Sequence, residues 1–105
     1  MHIIALSDGN VTSATGSGTV VVQSGHVGAV YIQANAANSV TLVLRRDGAA
    51  GKIIFDESLN ATTGGPFTRW IQFSVPLSME ATTDLYWALT SGAGTAEAMI
   101  YEWVG

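Results

Sequence analysis

The residues able to do chemistry are few and scattered. His2 lies in the first apolar run and His26 in a Gly-rich stretch, and neither has a nearby partner at a spacing that would make a nucleophile pair or a metal site. A glycosidase would need two carboxylates facing each other across a cleft, and nothing singles out a pair among the eight acidic residues. Asp8-Gly9-Asn10 and Asp47-Gly48 read as turn signals, because neither continues into the spaced oxygen ligands of a calcium loop. Without cysteine there is no disulfide framework, thiolate zinc site or cysteine nucleophile, and the compartment stays open. Asn10-Val11-Thr12 and Asn60-Ala61-Thr62 fit the glycosylation sequon, which matters only in a glycosylating secretory host. The sequence therefore predicts no enzyme, no cofactor and no metal.

Binding residues stand out more than catalytic ones. Phe67 to Val75 alternates cleanly, with Phe67, Ile71, Phe73 and Val75 on an inward row and Thr68, Trp70, Gln72 and Ser74 on an outward row. A Trp among Thr, Gln and Ser has little reason to face water unless something covers it, so Trp70 is the first candidate contact residue. Arg69 falls on the inward row and is expected to snorkel at the rim or to pair with Glu57 or Glu80. Arg45, Arg46 and Lys52, three of the four basic residues, flank one hairpin loop and either form a patch for an acidic partner or guard a sheet edge. Tyr86 is expected to face outward from Leu85 to Thr90, and Ile3 and Ile4 would anchor a short N-terminal arm.

These positions need a scaffold, and eight short runs rich in β-branched and aromatic residues supply it. They span roughly His2 to Leu6, Thr19 to Gln23, Ala29 to Ala34, Val40 to Arg46, Lys52 to Glu57, Phe67 to Val75, Leu85 to Thr90 and Ala96 to Val104. Turn chemistry recurs about every 8–12 residues, which predicts an all-β, single-domain antiparallel β-sandwich, jelly-roll-like, of about eight strands. Residues 1–18 read as an N-terminal strand or arm followed by a Gly/Ser/Thr linker, with a turn at Ser7 to Asn10, and 19–105 as the sandwich, one domain overall. Pro76 is expected to end its strand. The predicted core comprises Leu42, Leu44, Ile53, Phe55, Ile71, Phe73, Leu85, Trp87, Leu89, Tyr101 and Trp103. In the last run, Met99, Tyr101 and Trp103 share one face. Val43, outward on an otherwise apolar run, predicts a central or covered strand.

Charge narrows the partners. A net charge of −4 supplies no clustered cations to release phosphate counterions, so nucleic acid is not expected as a partner. No run approaches 18 apolar residues and the start lacks a basic leader, so a soluble chain without a membrane span or cleaved signal is expected. Only 11% of residues are charged beside 48% hydrophobic, where a typical domain carries about 25% charged. So charge-poor a surface predicts burial against other protein chains.

The order of features also resembles a family. Val30-Tyr31-Ile32-Gln33-Ala34-Asn35, then Ser39 to Gly48, then Lys52-Ile53-Ile54-Phe55, a long Thr/Gly loop into Ile71-Gln72-Phe73, and Leu85-Tyr86-Trp87-Ala88-Leu89 before an apolar last strand resemble small tailed-bacteriophage virion proteins. Those are jelly-roll-like capsid cement or decoration proteins, with related modules in head and tail fibres. The resemblance covers about Val20 to Val104 and rests on spacing. It implies a structural role on the capsid surface, with the protein made in the host cytoplasm. Its partners would be the major capsid protein and copies of itself as a homotrimer. The alternative is a carbohydrate-binding jelly roll, or a fibre or tail receptor-binding domain, with Trp70, Tyr86 and Tyr31 as a sugar platform if they share one exposed face.

Overall fold

The computed structural model describes residues 2–12, 15–34, 39–60, 67–92 and 95–104, and for 2–12 and 15 the backbone alone. Eight strands account for nearly all of them: β1 (His2–Thr12), β2 (Thr15–Val21), β3 (His26–Ala34), β4 (Ser39–Arg46), β5 (Ile53–Asn60), β6 (Phe67–Ser78), β7 (Asp84–Ser91) and β8 (Thr95–Val104). Each contains or overlaps one of the predicted runs.

The strands pair first with last and inward from there: β1 with β8, β2 with β7, β3 with β6 and β4 with β5, all antiparallel. Further ladders join β3 to β8 and β4 to β7. The result is two four-stranded sheets, β1-β8-β3-β6 and β2-β7-β4-β5. This is an antiparallel ribbon rolled on itself, the connectivity of a jelly roll. Val43 lies on β4 between β7 and β5, the central strand its outward position called for.

The core lies between the sheets. Val30 and Ile32 of β3, Val40, Leu42 and Leu44 of β4, Leu85 and Leu89 of β7, and Ala96, Ala98 and Ile100 of β8 are all buried. Each fully buried Val, Leu or Ile among them contributes roughly 1.5–3 kcal/mol of transfer free energy, and the alanines less. Phe55, Ile71, Phe73 and Trp87 pack against the cluster from its margins. Met79 plugs one end, and its backbone N–H donates to Gly25 O at 2.8 Å. Trp87 lies so close over β2 that a Cβ at Gly18 would meet the indole at 3.0 Å, so no larger residue fits there without displacing the ring.

Several sequence expectations need correction. Ser7 to Asn10 does not turn: β1 passes through it, paired with Ile100 to Glu97 of β8, and the irregularity falls at Leu6, between the paired Ala5 and Ser7. β2 likewise begins at Thr15, so the stretch read as arm and linker supplies one strand to each sheet. Ladder hydrogen bonds outweigh the local turn preference of Asp-Gly. Pro76 does not end β6, which continues to Ser78. Between Gln72 and Leu77 the β6 ladder skips its partner, and Pro76 sits in that gap at the sheet edge, where its missing N–H costs nothing. Ile53 is 43% exposed rather than in the core. Tyr101 and Trp103 also leave the core, because β8 turns Ala96, Ala98, Ile100 and Glu102 inward and Glu97, Met99, Tyr101 and Trp103 outward.

The open side between edge strands β5 and β6 is closed by side chains. Phe55 and Phe73 meet edge to face at 5.6 Å. Arg69 Nη1 reaches Glu57 Oε1 at 2.6 Å, the pairing expected for an inward arginine, and also donates to Ser58 O at 3.4 Å.

Candidate contact surface

Inverting the β8 rows builds a surface that none of the strands shows alone. On the outer face of β1-β8-β3-β6, Tyr31 of β3 stands directly opposite Trp70 of β6 on one side and Met99 of β8 on the other. Ala29, two residues before Tyr31 on the same row, stands opposite Tyr101. Trp70 and Tyr101 are two strands apart, yet their rings meet edge to face at 5.0 Å and 69°. They can do so because Ala29 between them is small. Ala29 is fully buried although it faces outward, which is what rings closing over it would produce.

Hydrogen bonds hold the neighbours in place. Tyr31 Oη donates to Gln33 Oε1 at 2.5 Å, and Tyr101 Oη to Met99 Sδ at 3.5 Å. Trp103 continues the β8 row, and Trp70 remains 48% exposed at the sheet margin. Thr68, Gln72 and Ser74 complete the β6 row in solvent. Among the described outward residues of β3, β6 and β8, Glu97 is the charged one between its strand ends. Among the described side chains the face is thus aromatic and nearly neutral.

The outer face of β2-β7-β4-β5 is built differently. Ser39 Oγ donates to Asn60 Oδ1 at 2.5 Å, and the Thr41 and Ser58 hydroxyls lie 2.8 Å apart, forming a cross-strand hydroxyl ladder. Tyr86 belongs to this face, opposite Thr19 on one side and Arg45 on the other. It is therefore on the other sheet from Trp70 and Tyr31, and the three do not form one platform.

The basic cluster does not form a single patch either. Arg45 and Arg46 are consecutive in β4 and point to opposite faces, with Arg45 opposite Tyr86 and Arg46 opposite Leu85 of the inward row. Arg45 Nη1 donates to Gly51 O at 2.9 Å, within its own hairpin. Arg46 Nη1 pairs with Glu80 Oε1 at 2.8 Å and reaches Ser78 O at 3.3 Å, tying the two sheets together at one end. Lys52 is exposed and lines, with Arg46, Asp47, Met79 and Glu80, an open cleft at that end. Both guanidinium groups are engaged within the chain.

Ile3 and Ile4 lie on β1 and pair in backbone register with Trp103 and Glu102; their side chains fall outside the described residues. His26 is exposed in its turn, Nδ1 lying 3.2 Å from Ser24 O. Glu102, buried at the rim, accepts the Ser24 N–H at 2.9 Å and so serves the turn before β3. Among the described residues no group of three or more His, Cys, Asp and Glu could hold a metal ion. Sequence reasoning missed Met99, Tyr101 and Trp103 as surface residues.

No known family model matches the chain, and no curated protein matches it in sequence. Among solved structures, a chain in the structure of infectious bursal disease virus Gx strain matches with a TM-score of 0.37 and 7% identity over 99% of this chain and 36% of that one. One in the structure of the Gt strain gives 0.20 and 10% over 99% and 33%. The protein thus spans about a third of the length of those chains, and at these scores neither likeness bears on its function.

Proposed function

We propose that this domain is a structural component of a virus particle, a cement or decoration module that seats its aromatic sheet face on a neighbouring capsid subunit. The observation that carries this reading is the contrast between its two outer faces. Among the described side chains, one gathers Trp70, Tyr31, Tyr101, Met99 and Trp103 beside a single carboxylate, Glu97; the other mixes Tyr86 and Val43 with hydroxyl pairs and the charges of Arg45 and Asp56. Aromatic residues and Met are the types enriched at protein interfaces, and charged residues are depleted at their centres. Four strands about 4.8 Å apart and some ten residues long give a footprint on the order of 600 Å². That is the low end for a specific protein contact.

The spacing of the strand runs supports the placement on a capsid, through the resemblance to phage cement proteins, and the scarcity of charge supports burial against protein. The role needs no bond chemistry: it adds interface area between subunits under internal pressure. The sugar-binding alternative gains one observation, that Trp70 and Tyr31 share a face. It loses another, since Trp70 and Tyr101 meet at 69° rather than lying flat beneath a pyranose ring.

The test has two arms. Mass spectrometry of intact particles from the source should find the protein in fixed stoichiometry with the main shell protein, and the purified domain should co-sediment with particles that lack it. Absence from particles together with failure to co-sediment sinks the reading, and binding to a glycan array instead would turn the same face into a sugar site.

A further inference from the structure

A sandwich of this kind has four edge strands, and proteins guard such edges with charges, proline or bulges because an open ladder is a template for another strand. Three of the four edges here carry guards. β1 has an irregularity at Leu6 and an aspartate at Asp8. β5 carries Asp56 and Glu57 and follows Lys52. β6 carries Arg69 and Pro76 and breaks register between Gln72 and Leu77. β2 has none of these. Thr15-Gly16-Ser17-Gly18-Thr19-Val20-Val21 holds no charge and no proline, and it pairs with β7 in unbroken register from Thr15 to Val21.

The composition of β2 also says what would fit it. Its outward row is Ser17, Thr19 and Val21, and Val21 is 47% exposed; its inward row is Gly16, Gly18 and Val20. A two-fold axis at Gly18 would set Ser17 against Thr19 of a second copy, Gly16 against Val20 and Thr15 against Val21. Hydroxyl would meet hydroxyl on the outer face. On the inner face the valine of one copy would fill the space left by the glycine of the other, beside the half-buried Trp87 that already packs over Gly18. No like charges oppose each other, so the strand is complementary to itself in the way a two-fold contact requires.

We infer that β2 is a self-association edge: two copies of this chain join β2 to β2 antiparallel, giving one continuous eight-stranded sheet in the order β5-β4-β7-β2-β2-β7-β4-β5. This contact lies at the margin of the second sheet, away from the aromatic face of the first, and so leaves that face free to dock. It replaces the three-fold association implied by the phage resemblance with a two-fold one, and it holds or fails independently of the proposed virion role.

The test is sedimentation velocity on the full chain from about 1 μM to 1 mM, comparing the parent with the double variant Ser17→Lys, Thr19→Lys. Both positions are exposed and outward, so the variant keeps its fold in a monomer, which circular dichroism and thermal melting check. In the dimer it sets lysine against lysine at two symmetry-related places, and the dissociation constant should rise at least ~30-fold. The double variant Thr68→Lys, Ser74→Lys, an equal charge change at two exposed positions of β6, should leave the association unchanged, and so should Trp70→Ala. The inference is overturned by a parent that stays monomeric throughout, by a dimer that tolerates both lysines, or by one that Trp70→Ala dissolves, since the last would place the contact on the aromatic face.

Discussion

Removing the Trp70 side chain probes the contact surface directly, because the structure gives the residue two separable roles. Within the chain, its ring meets Tyr101 edge to face at 5.0 Å, a geometry worth roughly 0.5–1.5 kcal/mol beyond area burial. Toward solvent it is 48% exposed, so half of its surface remains for a partner. Trp70→Ala should therefore cost the isolated fold only about 1–2 kcal/mol in urea unfolding. A cycle with Tyr101→Ala and the double variant should return a coupling of about 0.5–1.5 kcal/mol. Binding should suffer more. An interface tryptophan that anchors a contact typically costs about 2 kcal/mol or more on truncation, close to a 30-fold weaker association with particles in a co-sedimentation titration. A Trp70→Ala protein that folds and binds like the parent would refute the assignment of this face. A variant destabilised by more than about 4 kcal/mol would show that Trp70 is a core residue that only borders the surface.

The orientation of β8 is tested by a contrast: Ile100→Ala, at 3% exposure, should cost about 2–5 kcal/mol, whereas Trp103→Ala on the outward row should cost clearly less despite removing more atoms. Chemical denaturation reads both, and the opposite order would invert the strand. At Gly51 a Cβ would fall 1.5 Å from Arg46 O, a backbone atom, so Gly51→Ala must open the β4–β5 hairpin. It should lose more than ~1 kcal/mol, and an unchanged melting temperature would contradict the hairpin geometry. Glu57→Gln breaks the Arg69 pair, whose side chains are 38% and 41% exposed, and solvent screening should hold the loss to about 0.5 kcal/mol or less. That loss should shrink further in high salt; a loss above about 2 kcal/mol would mean that the pair works in a much drier setting than its exposure indicates.

What could be read from the sequence depended on whether the two rows of a strand differ. In β6 they do. Thr68, Gln72 and Ser74 mark the outward row as polar, so the inward placement of Ile71 and Phe73, the pairing of Arg69 and the exposure of Trp70 followed from alternation, whereas Val75, also expected inward, is 78% exposed where the ladder loses register after Gln72. In β8 they do not. The row Glu97, Met99, Tyr101, Trp103 and the row Ala96, Ala98, Ile100, Glu102 are both largely apolar and each carries one carboxylate. Size then favoured the aromatic row for the core, but between two closely packed sheets the small alanines are what fit. Glu102 is tolerated on the inward row because it lies at the rim and receives the Ser24 N–H. Periodicity alone cannot weigh those two facts, because both depend on what lies across the sandwich.

The same limit explains why nearness in sequence misled about the contact surface. Arg45 and Arg46 are adjacent in the chain and yet serve opposite faces of β4, one bonding Gly51 and the other Glu80, because consecutive residues of a strand always point apart. Tyr31, Trp70 and Tyr101 are dozens of residues apart and share one face, because rolling the ribbon places β3 between β6 and β8. A surface made this way exists only once the strand order exists, and strand order is set by ladder pairing across the whole chain, not by any local run. For a jelly roll, then, the residues worth testing for contact are those that occupy the outward rows of neighbouring strands. By that criterion Tyr101 and Met99 belong with Trp70, and Arg46, opposite the inward Leu85, does not.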